Sequence, residues 1–132
     1  MTTPQTSSGP STECGCSTRQ TWSPPDVVRE AAGGDHSLIF NLIDAFSTDT
    51  ADRIEQIREA LAASNFARIS DEAHTIKGSA RQMGADAVAS ACQELELACG
   101  LQDASLIAAR LNVVQERFCE IRGAMAEYSN PR

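Results

Sequence analysis

Apolar side chains recur every three or four residues along the last part of the chain, and this spacing constrains its fold more than any other feature. Residues three and four apart share one face of an α-helix, whereas a half-buried strand alternates with a period of two. The repeat continues for about five helical turns, at Ile107, Leu111, Val114, Phe118, Ile121 and Met125. A long amphipathic helix of this kind has to bury its stripe against other structure.

Three more stripes of the same kind precede it. They run through Ile39, Ile43, Phe46, Thr50, Ile54, Ile57 and Leu61; Phe66, Ile69, Ala73, Ile76, Ala80 and Met83; and Val88, Cys92, Leu95 and Cys99. Such narrow stripes are typical of antiparallel bundles whose helices cross at about 20°. Aromatic residues make up only 5% of the chain, which also favours helices over a β-sandwich.

Helix start and stop signals separate these stripes. The starts are Pro24-Pro25-Asp26, Asp35, Asn65 or Ser64, Asp86 and Asp103, and the stops are Gly33-Gly34, Gly84, Gly100 and Asn130-Pro131. The short connections make consecutive helices antiparallel neighbours. We therefore predict an all-α fold: an antiparallel up-down-up-down four-helix bundle with a short N-terminal helix.

The first part of the chain has a different composition. Residues 1–22 are dominated by Ser, Thr, Pro, Gly and Gln, which bury too little apolar surface to offset their ordering entropy. We predict a disordered leader over 1–22 and the bundle over 23–132, with Trp22 as the first residue able to touch the fold. Cys14 and Cys16 in this leader are expected to be thiols of a flexible tail, and half of a metal site is the weaker alternative.

Charge, cysteines and hydropathy exclude several classes of protein. The net charge of -7 is unlike the basic footprint of a nucleic-acid binder. No apolar run reaches the ~18 residues of a membrane span, and no signal peptide is evident. Five scattered cysteines give no disulfide framework and predict reduced thiols, with Cys92 and Cys99 as small core residues. We expect a monomeric protein in the cytoplasm, with neither nucleic acid nor membrane as partner.

The segment HTIKGSARQMGA, residues 74–85, carries the chemistry. Helical spacing places Lys77, Gly78 and Arg81 on the face of His74, and Ile76 of the apolar stripe lies about 200° away. A histidine with two cations on an outward face outlines a phosphate site. Gly78 costs a helix about 1 kcal/mol relative to Ala, which indicates close approach of a partner or, alternatively, close packing of helices. His36 has no such neighbours and is expected to be an ordinary surface residue.

This segment resembles the signature of histidine-containing phosphotransfer (HPt) domains, approximately H-x-[LI]-K-G-[SAG]-[SAG] with a distal G-[AL]. The matching residues are His74, Ile76, Lys77, Gly78, Ser79, Ala80, Gly84 and Ala85, followed by the C-x-x-L-E run of Cys92, Leu95 and Glu96. The resemblance covers residues ~24 to 128. Ile76 stands where Leu is commoner in the family, a change that affects only core packing.

The resemblance implies a phosphorelay intermediate. His74 would accept a phosphoryl group on Nε2 from a receiver-domain aspartate or a sensor histidine kinase, and pass it to a receiver aspartate. Lys77 and Arg81 would support the phosphate, Gly78 would give access, and Glu96 would orient the ring through its other nitrogen. A solvent-facing acid is the equal alternative for Glu96. The resemblance implies no ATP site, cofactor or metal in this domain.

A docking surface for the partner is expected around His74. Leu38 and Leu42 lie off the main stripe of their helix and are candidates, and Ala85 and Arg81 would border the surface. Two leucines of this kind can also pack on the short first helix, and the sequence favours that alternative slightly.

Two other functions are compatible with the bundle. A non-catalytic adaptor for kinases or response regulators would keep the docking surface without the relay. An enzyme that uses His74 as a general base would need a second catalytic group, and none is evident near the histidine.

Overall fold

The computed structural model describes residues 22–129, which contain five helices and no strand. In chain order they are α1 (Asp26–Ala32), α2 (His36–Ala62), α3 (Phe66–Gln82), α4 (Asp86–Leu101) and α5 (Ala104–Ser129). The predicted leader, with Cys14 and Cys16, lies outside the described residues except for Trp22.

The four long helices form a closed ring. Helix α3 packs against α2 and α4, and α5 closes the ring by packing against α4 and α2, while α1 lies on α2. The connections at 63–65, 83–85 and 102–103 are too short for anything but antiparallel neighbours. The predicted all-α, up-down-up-down bundle with a short N-terminal helix is confirmed.

The predicted stripes form the core. All of their residues are buried except Leu61 and Phe66, which are half-buried and pack against it. Thr50 is fully buried, and its hydroxyl has no hydrogen-bond partner within residues 22–129. Because the stripe of α3 faces this core, its opposite side carries the candidate chemistry outward.

The predicted caps explain where the helices begin. Asp35 accepts a hydrogen bond from Ser37 N at 2.9 Å at the start of α2. Asn65, rather than Ser64, caps α3 and accepts from Arg68 N at 3.2 Å. The carboxylate of Asp103 accepts from the first-turn amides of α5. Each cap satisfies amides that the helix itself cannot.

Helix α4 ends later than the sequence predicted. Gly100 is inside the helix, which continues to Leu101. The left-handed conformation that terminates it falls on Gln102, with φ 54°. A glycine near a helix end is only a weak stop signal, because a non-glycine residue can adopt this conformation at a modest cost.

Trp22 packs into the fold, as expected for the first residue able to touch it. Its indole Nε1 donates to the carbonyl of Met83 at 2.7 Å and its ring meets Tyr128 edge-on. Gly84 follows with φ 74°, where a Cβ would lie 2.9 Å from Pro25 Cγ. Glycine is therefore required at the α3–α4 turn both for its conformation and for the close contact.

The cysteines only partly follow the sequence prediction. Cys92 and Cys99 carry free, buried thiols on α4, as predicted. Cys119 is disulfide-bonded, so the expectation of five reduced thiols is wrong for this residue. Counting cysteines cannot predict one pairing, because pairing depends on which chain segments meet.

Within the described part of the chain, no helix is both long and apolar enough to cross a bilayer.

Candidate functional site

His74 lies near the middle of α3 and points away from the core. Its neighbours Ala73 and Ile76 are fully buried in the bundle, and the helical rotation between them and His74 carries the imidazole outward. The side chain is 72% exposed. A macromolecular partner can therefore reach the ring without any rearrangement of the bundle.

Glu96 of the antiparallel helix α4 contacts this ring. Its Oε2 lies 3.3 Å from His74 Nδ1, while its own side chain is only 19% exposed. A carboxylate can only accept a hydrogen bond, so this contact requires the proton on Nδ1. In a neutral ring the lone pair is then on Nε2. Glu96 is thus a neighbour of the ring and not an acid turned toward solvent.

Lys77 is held between two residues of α4. Its Nζ lies 2.6 Å from Glu96 Oε1 and donates a hydrogen bond to Gln93 Oε1 at 3.0 Å. The contact with Glu96 is an ion pair without regular hydrogen-bond geometry among the described residues. Glu96 therefore connects the imidazole, through one oxygen, with the ammonium, through the other. The lysine side chain is only 13% exposed, less than an outward position on α3 suggested.

Gly78 lies one turn beyond His74 on the exposed surface of α3. A Cβ built there meets no atom within 4 Å. Close helix packing, the alternative left open by the sequence, would place a neighbouring helix at that distance. The structure instead leaves open space beside the imidazole.

The arginines of α3 differ in their surroundings. Arg81 is exposed and has no hydrogen-bond or ion-pair partner within residues 22–129. Arg68 instead contacts Gln56 and Glu72. The structure therefore leaves Arg81 as the unpaired cation on the His74 side of α3.

The predicted docking residues differ in their surroundings. Ala85 is only 1% exposed, and its backbone N–H donates to Ala80 at the end of α3. Its placement on the docking surface is wrong, because the tight α3–α4 turn folds its methyl group inward. Leu42 is half-buried against the core, and Leu38 is 38% exposed.

The two leucines also lie some way from the ring. The Arg53–Glu72 ion pair aligns α2 with α3 in antiparallel register. At 1.5 Å per residue, this register places Leu42 roughly 14 Å and Leu38 roughly 20 Å along the bundle from His74. A standard interface of about 800 Å² per partner has a radius of roughly 16 Å. Leu42 falls near the rim of an interface centred on His74, and Leu38 falls outside it.

Two exposed residues of α4 were not identified from the sequence. Gln93, which binds Lys77, lies one turn before Glu96 on α4, and that i−3 spacing is the signal that could have revealed it. Leu97 directly follows Glu96 and is 58% exposed. Its signal was an apolar residue off the core stripe of α4.

The charges of Glu96 and Lys77 affect the pKa of a thiol in the adjacent core. Burial raises the pKa of the Cys92 thiol to about 12; the negative charge of Glu96 adds to this effect and Lys77 opposes it. Burial likewise raises the pKa of Cys99. Both thiols therefore stay protonated at neutral pH and behave as small apolar core residues.

Comparison with known proteins defines the class of this bundle. A family model described as the Hpt domain matches residues 41–130, and the chain belongs to the Hpt domain family. Its role is accordingly histidine phosphotransfer in the phosphorelays of two-component signalling. Hpt domains are phosphoryl carriers rather than ATP-using kinases.

A solved structure shares the fold. The crystal structure of histidine-containing phosphotransfer protein B (HptB) from Pseudomonas aeruginosa PAO1 matches with a TM-score of 0.72 and 23% sequence identity. The match covers 83% of this chain and 96% of that one. A comparison with curated protein sequences gives no match.

Proposed function

We propose that His74 is the phosphoryl acceptor of this Hpt domain, and that it exchanges the phosphoryl group with receiver-domain aspartates. The observation that carries the proposal is the position of Glu96, which contacts both the ring Nδ1 and the Lys77 ammonium. That arrangement keeps the proton of a neutral ring on Nδ1, leaves the Nε2 lone pair available, and holds a cation at the other oxygen of the same carboxylate.

The transfer follows from this geometry. The Nε2 lone pair attacks the phosphorus of an aspartyl phosphate, an N–P bond forms, and the P–O bond to the aspartate breaks with the carboxylate as leaving group. The ring gains positive character as the bond forms, and the Glu96 carboxylate at Nδ1 stabilises that charge while the Nδ1 proton stays in place. Transfer to the next receiver reverses these steps. Glu96 is thus proposed to orient the ring in both directions.

The cations support the transferred group. Phosphoryl transfer is catalysed largely by positioning and by compensation of charge. Lys77 provides a cation already fixed in the site, and Arg81 adds one that is free to reach a phosphoryl oxygen or an acidic group of the partner.

The partner surface is proposed to centre on His74 and to extend over the outward side of α3 and α4. Gly78 leaves room for the partner, Leu97 offers exposed apolar area on the outward side of α4, and Arg81 borders the surface. Leu42 lies at the rim. A receiver domain or the receiver-facing part of a sensor kinase is the proposed occupant.

Transfer from receiver domains tests the proposal. Each receiver is phosphorylated by its kinase with labelled phosphate, separated from that kinase, and mixed with wild type, Glu96→Gln or Glu96→Ala. We expect label to move to the wild type as an acid-labile, base-stable phosphate. Glu96→Gln keeps an acceptor for Nδ1–H and should transfer faster than Glu96→Ala, which we expect to be slowed about tenfold, as for loss of a hydrogen bond to a charged group.

Two results would contradict the proposal. Equal rates in wild type and Glu96→Ala would show that the carboxylate does not orient the ring. Stable binding of receivers without any transfer of label would favour the adaptor function instead.

A further inference from the structure

Lys77 is unusual in this chain in both number and environment. It is the only lysine, because every other basic side chain apart from the two histidines is an arginine. An ammonium has three N–H donors. Here Nζ faces Glu96 Oε1 at 2.6 Å and Gln93 Oε1 at 3.0 Å. The hydrogen bond to Gln93 uses one N–H, and the ion pair with Glu96 is made to the same helix, which leaves an N–H for a phosphoryl oxygen.

We propose that Gln93 is a positioning residue for phosphoryl transfer, which holds the Lys77 ammonium beside His74. The inference rests on the proposed role of His74. Lys77 has four rotatable side-chain bonds, and one ion pair of irregular geometry fixes them poorly. The hydrogen bond from Gln93 supplies a second fixed point on the same helix as Glu96. The ammonium is then in place before the phosphoryl group arrives.

The neutral amide of Gln93 matters as much as its position. Glu96 and Lys77 together carry no net charge, so the incoming phosphoryl group meets a site that does not repel it. A carboxylate at position 93 would hold the ammonium equally well and add a negative charge close to the phosphate. An amide oxygen fixes the cation without cancelling its charge.

A role in folding does not account for this contact. Gln93 is exposed on α4 and contributes nothing to the buried core. Substitution of an exposed residue away from the core usually changes the stability of a fold little. The contact therefore acts by fixing the position of the Lys77 ammonium.

The single lysine gives a direct test that does not depend on phosphoryl transfer. The full chain is treated with limiting acetic anhydride, a lysine-containing peptide in the same tube serves as reference, and acetylation of Lys77 is measured by mass spectrometry. We expect Gln93→Ala to react roughly threefold to tenfold faster than wild type, as for the loss of one hydrogen bond to the ammonium. Gln93→Glu should react no faster than wild type. Gln82→Ala, an exposed glutamine on α3, is the matched control and should be unchanged.

The lifetime of the phospho-form, measured after charging by a phosphorylated receiver, completes the test. Both Gln93 variants should lose label roughly threefold to tenfold faster than wild type. The Lys77→Ala/Gln93→Ala double variant should lose it no faster than Lys77→Ala alone, because Gln93 acts through Lys77.

The outcomes separate the two proposals. Unchanged acetylation in Gln93→Ala overturns the positioning role, and so does faster acetylation with an unchanged phospho-lifetime. An additive effect in the double variant overturns it as well. Failure of the wild type to accept phosphate at His74 rejects the proposed function, while the acetylation rates still decide whether Gln93 holds Lys77.

Discussion

Replacement of Gly78 by alanine should make the protein more stable and less active. The helix-propensity difference between glycine and alanine is about 0.8–1.0 kcal/mol. Nothing within 4 Å of the built Cβ offsets this gain. For a domain of about 100 residues, 1 kcal/mol corresponds to an increase in Tm of about 4 °C. Thermal unfolding measured by circular dichroism should therefore show Gly78→Ala melting above wild type.

The same methyl group should slow phosphoryl transfer. It meets no described atom within 4 Å outside the adjacent backbone of its own helix and its two chain neighbours, so it leaves the imidazole undisturbed and acts only on an approaching partner. Overpacking of a well-fitted contact costs about 1–3 kcal/mol. Valine, a poorer helix former, should leave the stability close to wild type and reduce kcat/KM for transfer from a receiver about tenfold or more.

Gly123 provides the matched control. It is also an exposed glycine within a long helix, and a Cβ there likewise meets nothing within 4 Å. Gly123→Ala should raise the Tm by a similar amount and leave transfer unchanged. Wild-type transfer rates in Gly78→Val would refute the idea that Gly78 keeps the site open. A fall in Tm for Gly78→Ala would refute the structural basis of the argument.

Three further predictions concern the surroundings of the ring. Lys77→Ala should shorten the lifetime of the phospho-form about tenfold, as for loss of a hydrogen bond to a charged group; an unchanged rate of label loss would remove Lys77 from the site. Leu97→Asp should weaken receiver binding, measured by calorimetry, by about 1–3 kcal/mol and leave the Tm unchanged. Equal Kd values for wild type and Leu97→Asp would place the interface elsewhere. Burial raises the pKa of the Cys92 thiol to about 12 in the folded protein, whereas the solvated thiol of the unfolded chain has its ordinary pKa of about 9. The free energy of unfolding should therefore fall as pH rises from about 9 to 12, by about 2 kcal/mol at pH 10.5. Between pH 7.5 and 10.5, the free energy of unfolding measured by urea titration should fall by correspondingly less in Cys92→Ala than in wild type. An equal fall in the two proteins would contradict this prediction.

The fold was predictable because its determinants are local. The 3–4 spacing of apolar residues defined the buried face of each helix, and the caps Asp35, Asn65 and Asp103 defined where helices start. The outward direction of His74 followed from the same rotation that buries Ile76. The short connections then required consecutive long helices to pack as antiparallel neighbours in an up-down-up-down bundle.

The contacts between helices were not predictable in the same way. Whether Glu96 reaches His74 depends on the axial register of α4 against α3, which a periodic stripe does not determine. The partnership of Gln93 with Lys77 depends on the same register. Ala85 matched the resemblance but is buried, because a family pattern does not distinguish a residue that faces a partner from one that completes a turn. The contacts of Trp22 with Met83 and Tyr128 were likewise not predictable, because they join residues far apart in the chain.

The identity of the phosphorylated residue is the central claim, and the chain offers a clean way to test it. It contains two histidines, and His36 is also exposed at the start of α2. Wild type, His36→Gln and His74→Gln are incubated with a receiver domain that carries labelled phosphate, and acid-labile, base-stable label is counted on each. We expect equal labelling of wild type and His36→Gln and none of His74→Gln. Label that persists on His74→Gln, or that is lost from His36→Gln, would contradict it.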